Sequence, residues 1–378
     1  MFSFQILKKS SRSSARLGVI STPHGDIETP SFIPVATRGS VRTITSDTVA
    51  ELGSQALICN TFHLHITPGE DVVKEAGGLH QFMHWQRPLM TDSGGFQVFS
   101  MGFGTDHGMG KILKEKPEEN IEVEAQPSKV KITDDGVWFR SPRDGAQLFL
   151  GPRESIQIQE SIGADIMFAF DECPSPLADE MYMRASLEKT HRWAHLCLDA
   201  KKSTQALYGI VQGGAYKHLR TESAQVIGAL PFEGFGIGGE FGYDKSSLRE
   251  VVELTSNALP AEKPRHLLGV GHPEDFSYIM EGGADTFDCI APTHYARRGM
   301  LFTSQGRLDL RKSIHKHAHV PIDPTCACHT CKNYSLAYVS HLIKSHELTG
   351  MTLATIHNLQ YLNALAKNMR EKIASGDL

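Results

Sequence analysis

The chain has 378 residues, enough for roughly two or three average domains or one large α/β barrel with additions, and too long for a small stapled scaffold. Hydrophobic residues make up 40% and charged residues 21%, which excludes wholesale disorder, and no run approaches the roughly 18 apolar residues that a membrane span needs. Lys and Arg number 38 against 43 Asp and Glu, a net charge of −5, so a surface attractive to nucleic acid everywhere is excluded while a local basic face is not.

The first residues, MFSFQILKKSSRSSARLG, lack a long apolar core and a small-residue cleavage site, so the expected location is cytoplasmic. Short apolar, β-branched or aromatic runs follow, most of them leading through a polar turn into a helical pattern. Strands are expected at Phe32–Ala36, Ala56–Asn60, Pro88–Thr91, Asp165–Phe170, Ala206–Gln212, Gly234–Gly238, His266–Val270 and Thr286–Ile290. The helices expected between them include Thr45–Leu52, entered through Ser46 and Asp47, then Asp179–Lys202, Ala215–Leu230, Lys245–Leu259 and Pro273–Glu281. Buried strands alternating with helices require a parallel sheet, and eight such units point to an α/β fold closed as a (β/α)8 TIM barrel. A doubly wound open sheet is the rival, but no G-x-G-x-x-G turn follows the first strand.

Residues 104–145 interrupt this pattern after the third strand. They are charged and irregular, with a hairpin signal where VKIT and VWFR flank Asp134-Asp135-Gly136, and read as an inserted flap. The expected organisation is a barrel over residues 1–298 with that insertion, and a C-terminal subdomain over 299–378 packed on it, since this tail is too long for one closing helix.

Several strands end in polar groups: Asn60, Asp92, Asp171 with Glu172, Gln212, Gly239 with Glu240, and Asp288 within the eighth. In a barrel these ends share one rim, where packing gives polar residues no reason to gather. Any single Asp there is explained as a helix cap, but several Asp and a Gln at one mouth are not. In Thr91-Asp92-Ser93-Gly94-Gly95-Phe96-Gln97 the glycines let a ligand approach the backbone, although by spacing alone the string is only a turn. Gly209-Ile210-Val211-Gln212-Gly213-Gly214 offers an amide suited to a flat edge such as a purine's. Asp288 is embedded in an apolar run, so its burial requires a partner or a function.

Cysteine usage divides in two. Cys59, Cys173, Cys197 and Cys289 are scattered and read as thiols, whereas Cys326, Cys328 and Cys331 crowd one loop. Three Cys with one His make a closed, structural tetrahedral Zn2+ site; the alternative is a chance grouping of thiols. Spacing leaves the fourth ligand open among His357, His329, His341 and His346. From Arg297 to His319, six Lys and Arg face one acid, which is either a phosphate-binding face or a solvated basic stretch.

TDSGGFQ, FDECP at Phe170–Pro174, GIVQGG, GIGGE, GVGHPED, FDCIAPT followed by Ala296-Arg297, and C-x-C-x2-C with a His 26 positions later resemble, in order, the bacterial type of tRNA-guanine transglycosylase. The resemblance implies a (β/α)8 barrel with a zinc subdomain. It also implies exchange of guanine at the tRNA anticodon wobble position for a free 7-deazaguanine, usually 7-aminomethyl-7-deazaguanine, on the way to queuosine. Matched motif by motif, Asp288 takes the place of the nucleophile and Asp92 that of the general acid/base. Ser93, Gly94, Gly95, Phe96, Asp171, Gln212 and Gly239 take the places of base-binding groups. Gly269, Val270, Gly271, His272, Pro273, Glu274 and Asp275, with Thr293, His294, Tyr295, Ala296 and Arg297, match loops that contact RNA. Cys326, Cys328, Cys331 and His357 match the ligands of one Zn2+ per chain, and the family implies a homodimer with no membrane partner.

Two positions depart from the pattern. Glu240-Phe241-Gly242 stands where bacterial members carry Leu and a small residue before Val, and a Gly there admits a bulkier 7-substituent, making queuine an alternative incoming base. His294 stands where the family usually has Arg. A non-catalytic tRNA-binding subunit is a further alternative, opposed by the retention of both Asp92 and Asp288. A glycosidase acting on free sugars would leave the basic stretch and the cysteine loop without purpose.

Overall fold

The computed structural model describes residues 1–99, 130–175, 178–239 and 245–378. An antiparallel sheet of β1 (Ser3–Lys9), β2 (Arg16–Thr22) and β3 (Gly25–Thr29) opens the chain and precedes all the expected strands. Then come β4 (Ser31–Pro34), β5 (Leu57–Cys59) and β6 (Leu89–Thr91). A second antiparallel sheet consists of β7 (Val130–Ile132), β8 (Val137–Arg140) and β9 (Gln147–Leu150). After it run β10 (Ile166–Phe168), β11 (Ala206–Val211), β12 (Gly234–Ile237), β13 (Arg265–Leu267) and β14 (Thr286–Cys289), and finally the hairpin β15 (Met300–Thr303) and β16 (Gly306–Asp309).

The eight expected strands are β4, β5, β6 and β10 through β14, and they pair in parallel in the order β4-β14-β13-β12-β11-β10-β6-β5. The ring closes where Val35 bridges Ile58 in parallel and the Ala36 N–H donates to the Ile58 carbonyl at 2.8 Å, giving a (β/α)8 barrel. Alternation sorts the side chains. Ile58, Ile166, Phe168, Tyr208 and Ile210 fill the interior, while Leu57, Met167, Leu207 and Val211 face the surrounding helices. Ile20 and Ile27, from β2 and β3, join the interior set, so the N-terminal sheet plugs the barrel at the end opposite the strand C-termini.

Two buried carboxylates pin that plug. Asp285 receives Arg16 in a two-pronged contact, Nε to Oδ1 at 2.8 Å and Nη2 to Oδ2 at 2.6 Å, and also accepts from the Arg265 N–H at 2.8 Å. Asp165 meets His24 Nδ1 at 2.7 Å and His80 Nε2 at 3.2 Å, one imidazole on each oxygen. Those rings stack with centroids 3.5 Å apart and 17° between planes, so their lone pairs run parallel instead of converging; the arrangement suits a shared carboxylate, not a common metal ion.

The hairpin expected around Asp134–Gly136 forms between β7 and β8, with Ile132 opposite Val137, and β9 adds a third strand. Residues 104–129 of the expected insertion, and Glu240-Phe241-Gly242, lie outside the described residues. The helix Ser46–Glu51 is capped by Thr45, which accepts from the Thr48 N–H, and not by the expected entry through Ser46 and Asp47. The tail is tied into the barrel: helix Leu348–Ser375 packs along β1, β2, β4 and β15. From it, the Asn358 amide donates to the carbonyls of Pro292 at 3.0 Å and Met300 at 3.1 Å, and its oxygen accepts from the Phe302 N–H at 3.0 Å.

Asp285→Ala would strand the Arg16 guanidinium in the interior and is expected to cost about 3–5 kcal/mol. Urea unfolding measures it; a loss under about 1 kcal/mol would show that the plug does not depend on this pair.

Candidate active site

The polar strand ends converge. Asn60, Asp92, Asp171, Gln212, Gly239 and Asp288 line one cavity of about 400 Å³ at the C-terminal mouth, walled by Val35, Ile58, Phe168, Ile210 and Leu268.

Asp92 follows β6 and is held from several sides. Its Oδ1 accepts from the N–H groups of Thr61 at 3.1 Å and Gly94 at 3.0 Å, and its Oδ2 from the Asn60 amide at 2.5 Å. Asn60 serves twice, because its Oδ1 also caps the helix Thr61–Ile66 by accepting from the His63 N–H at 2.9 Å. Burial drives the Asp92 pKa up and the Asp288 carboxylate adds to the rise; the hydrogen bonds offset only part of it, leaving the group at about 7, against an ordinary 3.8. The strand end is braced by two side chains of the helix Pro152–Ile162. Gln159 bonds the Thr91 hydroxyl at 3.0 Å and the Phe168 carbonyl at 2.9 Å, while the Ser155 hydroxyl donates to the Ser93 carbonyl at 2.7 Å.

Asp288 lies on β14, opposite Ile33 of β4. Its Oδ1 accepts from the Gly269 N–H at 2.7 Å and lies 3.1 Å from Nε2 of the fully buried His266. Facing these carboxylates, the Gln212 amide donates to Asp171 Oδ2 at 2.6 Å, and the Ser93 hydroxyl reaches Asp171 Oδ1 at 3.4 Å. The Gln212 Oε1 is buried without a hydrogen-bond partner among the described residues. Gly239 is required beside it: at φ +87° a Cβ would stand 2.6 Å from that oxygen.

Of the remaining expected base-binding residues, Ser93, Gly94 and Phe96 line the cavity, Phe96 with its ring 43% exposed. Gly95 lies behind the wall, where a Cβ would press to 2.9 Å on the Asp171 carbonyl. In the expected RNA loops Val270, Asp275, Thr293 and Ala296 are buried, and Gly271 and Pro273 offer no polar side chain. His272, Glu274, His294, Tyr295 and Arg297 keep accessible side chains, and Gly269 points its N–H inward to Asp288. The basic stretch is partly spent: Arg307 is paired with Glu274 and Arg311 with Asp309. Arg297 and Arg298 have no ion pair among the described residues, and the exposed Arg42 lies near enough that, after burial, its charge is what most lowers the Arg297 pKa. Arg38 and Arg42, together with burial, also hold the pKa of the cavity-lining His63 down.

Arg38, Arg42, His63, Ser155, Gln159 and His266 were not legible as site residues. For Ser155 and Gln159 the available signal was polar residues four apart on the apolar face of a helix; for His266, an imidazole at the head of the apolar run Leu267-Leu268-Gly269-Val270.

Away from the mouth, one ligand atom each from Cys326, Cys328, Cys331 and His357 lies within 4.8 Å of the others. The structure thereby selects His357 among the four candidate histidines. Its Nε2 donates to the Phe302 carbonyl at 2.8 Å, which turns Nδ1 toward Cys331 Sγ at 3.2 Å and Cys328 Sγ at 3.7 Å. The donor set and the carbonyl-fixed imidazole fit a tetrahedral metal site. No helix among the described residues is long and apolar enough to cross a membrane.

A family model described as queuine tRNA-ribosyltransferase matches residues 10–378. A queuine tRNA-ribosyltransferase of Moorella thermoacetica is 45% identical over 377 residues, covering 99% of this chain and 94% of the relative. A putative queuine tRNA-ribosyltransferase of Archaeoglobus fulgidus is 44% identical over 377 residues, covering 96% and 94%. One from Halothermothrix orenii is 44% identical over 373 residues, covering 98% and 93%.

Asp92 titrates near 7 in the folded chain and near 3.8 when unfolded, so its contribution to stability is complete below pH 3.8 and is lost as pH rises through 7. Asp92→Asn is therefore expected to flatten the fall in unfolding free energy between about pH 4 and 7 by on the order of a few kcal/mol. Parallel curves for the two proteins in urea unfolding would mean that the carboxyl titrates in its ordinary range.

Proposed function

The chain belongs to the queuine tRNA-ribosyltransferase family, and from that premise we propose that the mouth cavity exchanges guanine at the anticodon wobble position of a tRNA for free 7-aminomethyl-7-deazaguanine. The reaction class is tRNA-guanine transglycosylation, a pentosyl transfer. The observation that carries the residue assignment is that Asp92 and Asp288 share one cavity, with Asp92 holding its proton to about pH 7.

Breaking an N-glycosidic bond builds positive charge on the ribose, which a carboxylate stabilises and then captures. Asp288 attacks the anomeric carbon, the bonding pair leaves with guanine, and Asp92 supplies the proton guanine takes up. The incoming base returns a proton to Asp92 and displaces Asp288 from the same carbon, so two displacements restore the configuration. Asp171 and the unpaired oxygen of Gln212 read the base edge; a base without matching donors leaves buried groups unsatisfied, at about 1–3 kcal/mol each. Phe96, at the rim of the cavity, lies beside the path of a base drawn out of the unpaired anticodon loop. Arg38, Arg42, Arg297 and Arg298 supply cations for the flanking phosphates.

Cys326, Cys328, Cys331 and His357 would hold one structural Zn2+, which cross-links the cysteine loop to helix Leu348–Ser375 and takes no part in the chemistry. A homodimer fits the exposed apolar side chains of the tail, Ile314 and Leu348 among them. A cytoplasmic location fits a tRNA substrate. A second reading, the same reaction with queuine, is favoured by Gly242 in the sequence.

Asp288→Ala is expected to abolish the covalent tRNA adduct and to lower labelled-guanine exchange about 1,000-fold or more. An adduct surviving the change would reassign the nucleophile, and competition between the aminomethyl base and queuine in the same assay distinguishes the two incoming bases. Metal analysis of the purified chain is expected to give one zinc per chain, and Cys328→Ser to lose it together with cooperative melting of the tail; a folded, fully active, zinc-free chain would refute the structural role.

A further inference from the structure

We propose that His266 is a positioning residue that fixes which oxygen of Asp288 attacks the ribose; the inference rests on the base-exchange reading. His266 is fully buried on β13 and does not line the cavity, so it acts through Asp288 and not on the substrate. Its ring packs against Phe168, with centroids 5.2 Å apart.

The hydrogen bonds around it form an ordered chain. A carboxylate can only accept, so the contact of 3.1 Å from His266 Nε2 to Asp288 Oδ1 requires the hydrogen on Nε2. Nδ1 then accepts from the Thr286 hydroxyl 2.9 Å away, and every polar atom of the imidazole is satisfied in one tautomer. The Gly269 N–H donates to the same Oδ1 at 2.7 Å, while Oδ2 receives no hydrogen bond among the described residues. Two donors on Oδ1 draw its electron density and stop the carboxylate from rotating, leaving Oδ2 as the free nucleophilic oxygen.

The same arrangement serves both displacements. In the first, Oδ2 bonds to the anomeric carbon as the bond to guanine breaks and its electron pair leaves with the base. In the resulting ester Oδ1 is the carbonyl oxygen, and the donors from His266 and Gly269 remain on it. In the second, the bond from Oδ2 to carbon breaks, the pair returns to the carboxylate, and those donors stabilise the charge as it reforms.

The test measures single-turnover adduct formation and steady-state guanine exchange for His266→Phe, His266→Gln and Thr286→Val, with melting curves for each. His266→Phe keeps the ring's bulk without its donor and is expected to slow adduct formation and kcat about 10- to 100-fold, with KM for tRNA within about 2-fold. His266→Gln restores an N–H at the Nε2 position and is expected to recover activity to within about 5-fold of the starting protein. Thr286→Val keeps the volume, loses the hydroxyl that sets the tautomer, and is expected to slow adduct formation several-fold, which serves even if the Phe variant does not fold. Equal losses in the Phe and Gln variants, an unimpaired Phe variant, or an unchanged Val variant would overturn the role of His266 alone. A starting protein that exchanges no guanine would instead overturn the base-exchange reading.

Discussion

The site depends on keeping the carboxylates of Asp92 and Asp288 in one apolar-walled cavity. Like charges at close quarters in poor solvent repel, and the resolution here is unequal treatment. Asp92 is ringed by Thr61, Gly94 and Asn60 and still keeps its proton to about pH 7, because burial and the charge of Asp288 outweigh the donors. Asp288 has its donors gathered on one oxygen, from Gly269 and His266. Asp288 lies on β14 and Asp92 directly follows β6 of the same sheet, so closure of the barrel governs their separation.

The polar network behind the cavity explains why the strand ends are where they are. Where the β6–β10 pairing ends at Thr91 and Met167, Gln159 takes over, meeting the Thr91 hydroxyl and both backbone groups of Phe168. The tail completes the enclosure from outside. Asn358 ties three backbone groups flanking the end of the barrel, and its neighbour His357 meets the Phe302 carbonyl with one nitrogen and the cysteine loop with the other. The metal-type cluster and the barrel therefore share an anchor in adjacent residues of one helix.

The barrel was legible because each of its strands is a short apolar run with a clear turn behind it, and parallel burial on both faces leaves that signature in sequence. The plug was not. In β2 the buried positions are Arg16, Gly18, Ile20 and Thr22, only one of them a large apolar side chain, so the alternation of burial is barely visible as an alternation of hydrophobicity. Asp92, Asp171, Gln212 and Asp288 stood out as polar residues at apolar strand ends, whereas His266 was hidden inside a strand whose neighbours suggested nothing but packing. The basic stretch misled in part, because charge counted along the chain ignores partners across it: Glu274 takes up Arg307, while Arg38 and Arg42 reach the mouth from a distant segment.

With β2 and β3 filling the lower end of the barrel, traffic through the cavity does not pass through its floor. On the base-exchange reading, the departing purine and its replacement share the mouth at the strand C-termini. With the ribose held on Asp288 as proposed, the two bases take turns: the first vacates before the second enters. An outlet at the far end would have let water follow the leaving group to the proposed ester; the plug removes that route, so exclusion of water is decided at the mouth.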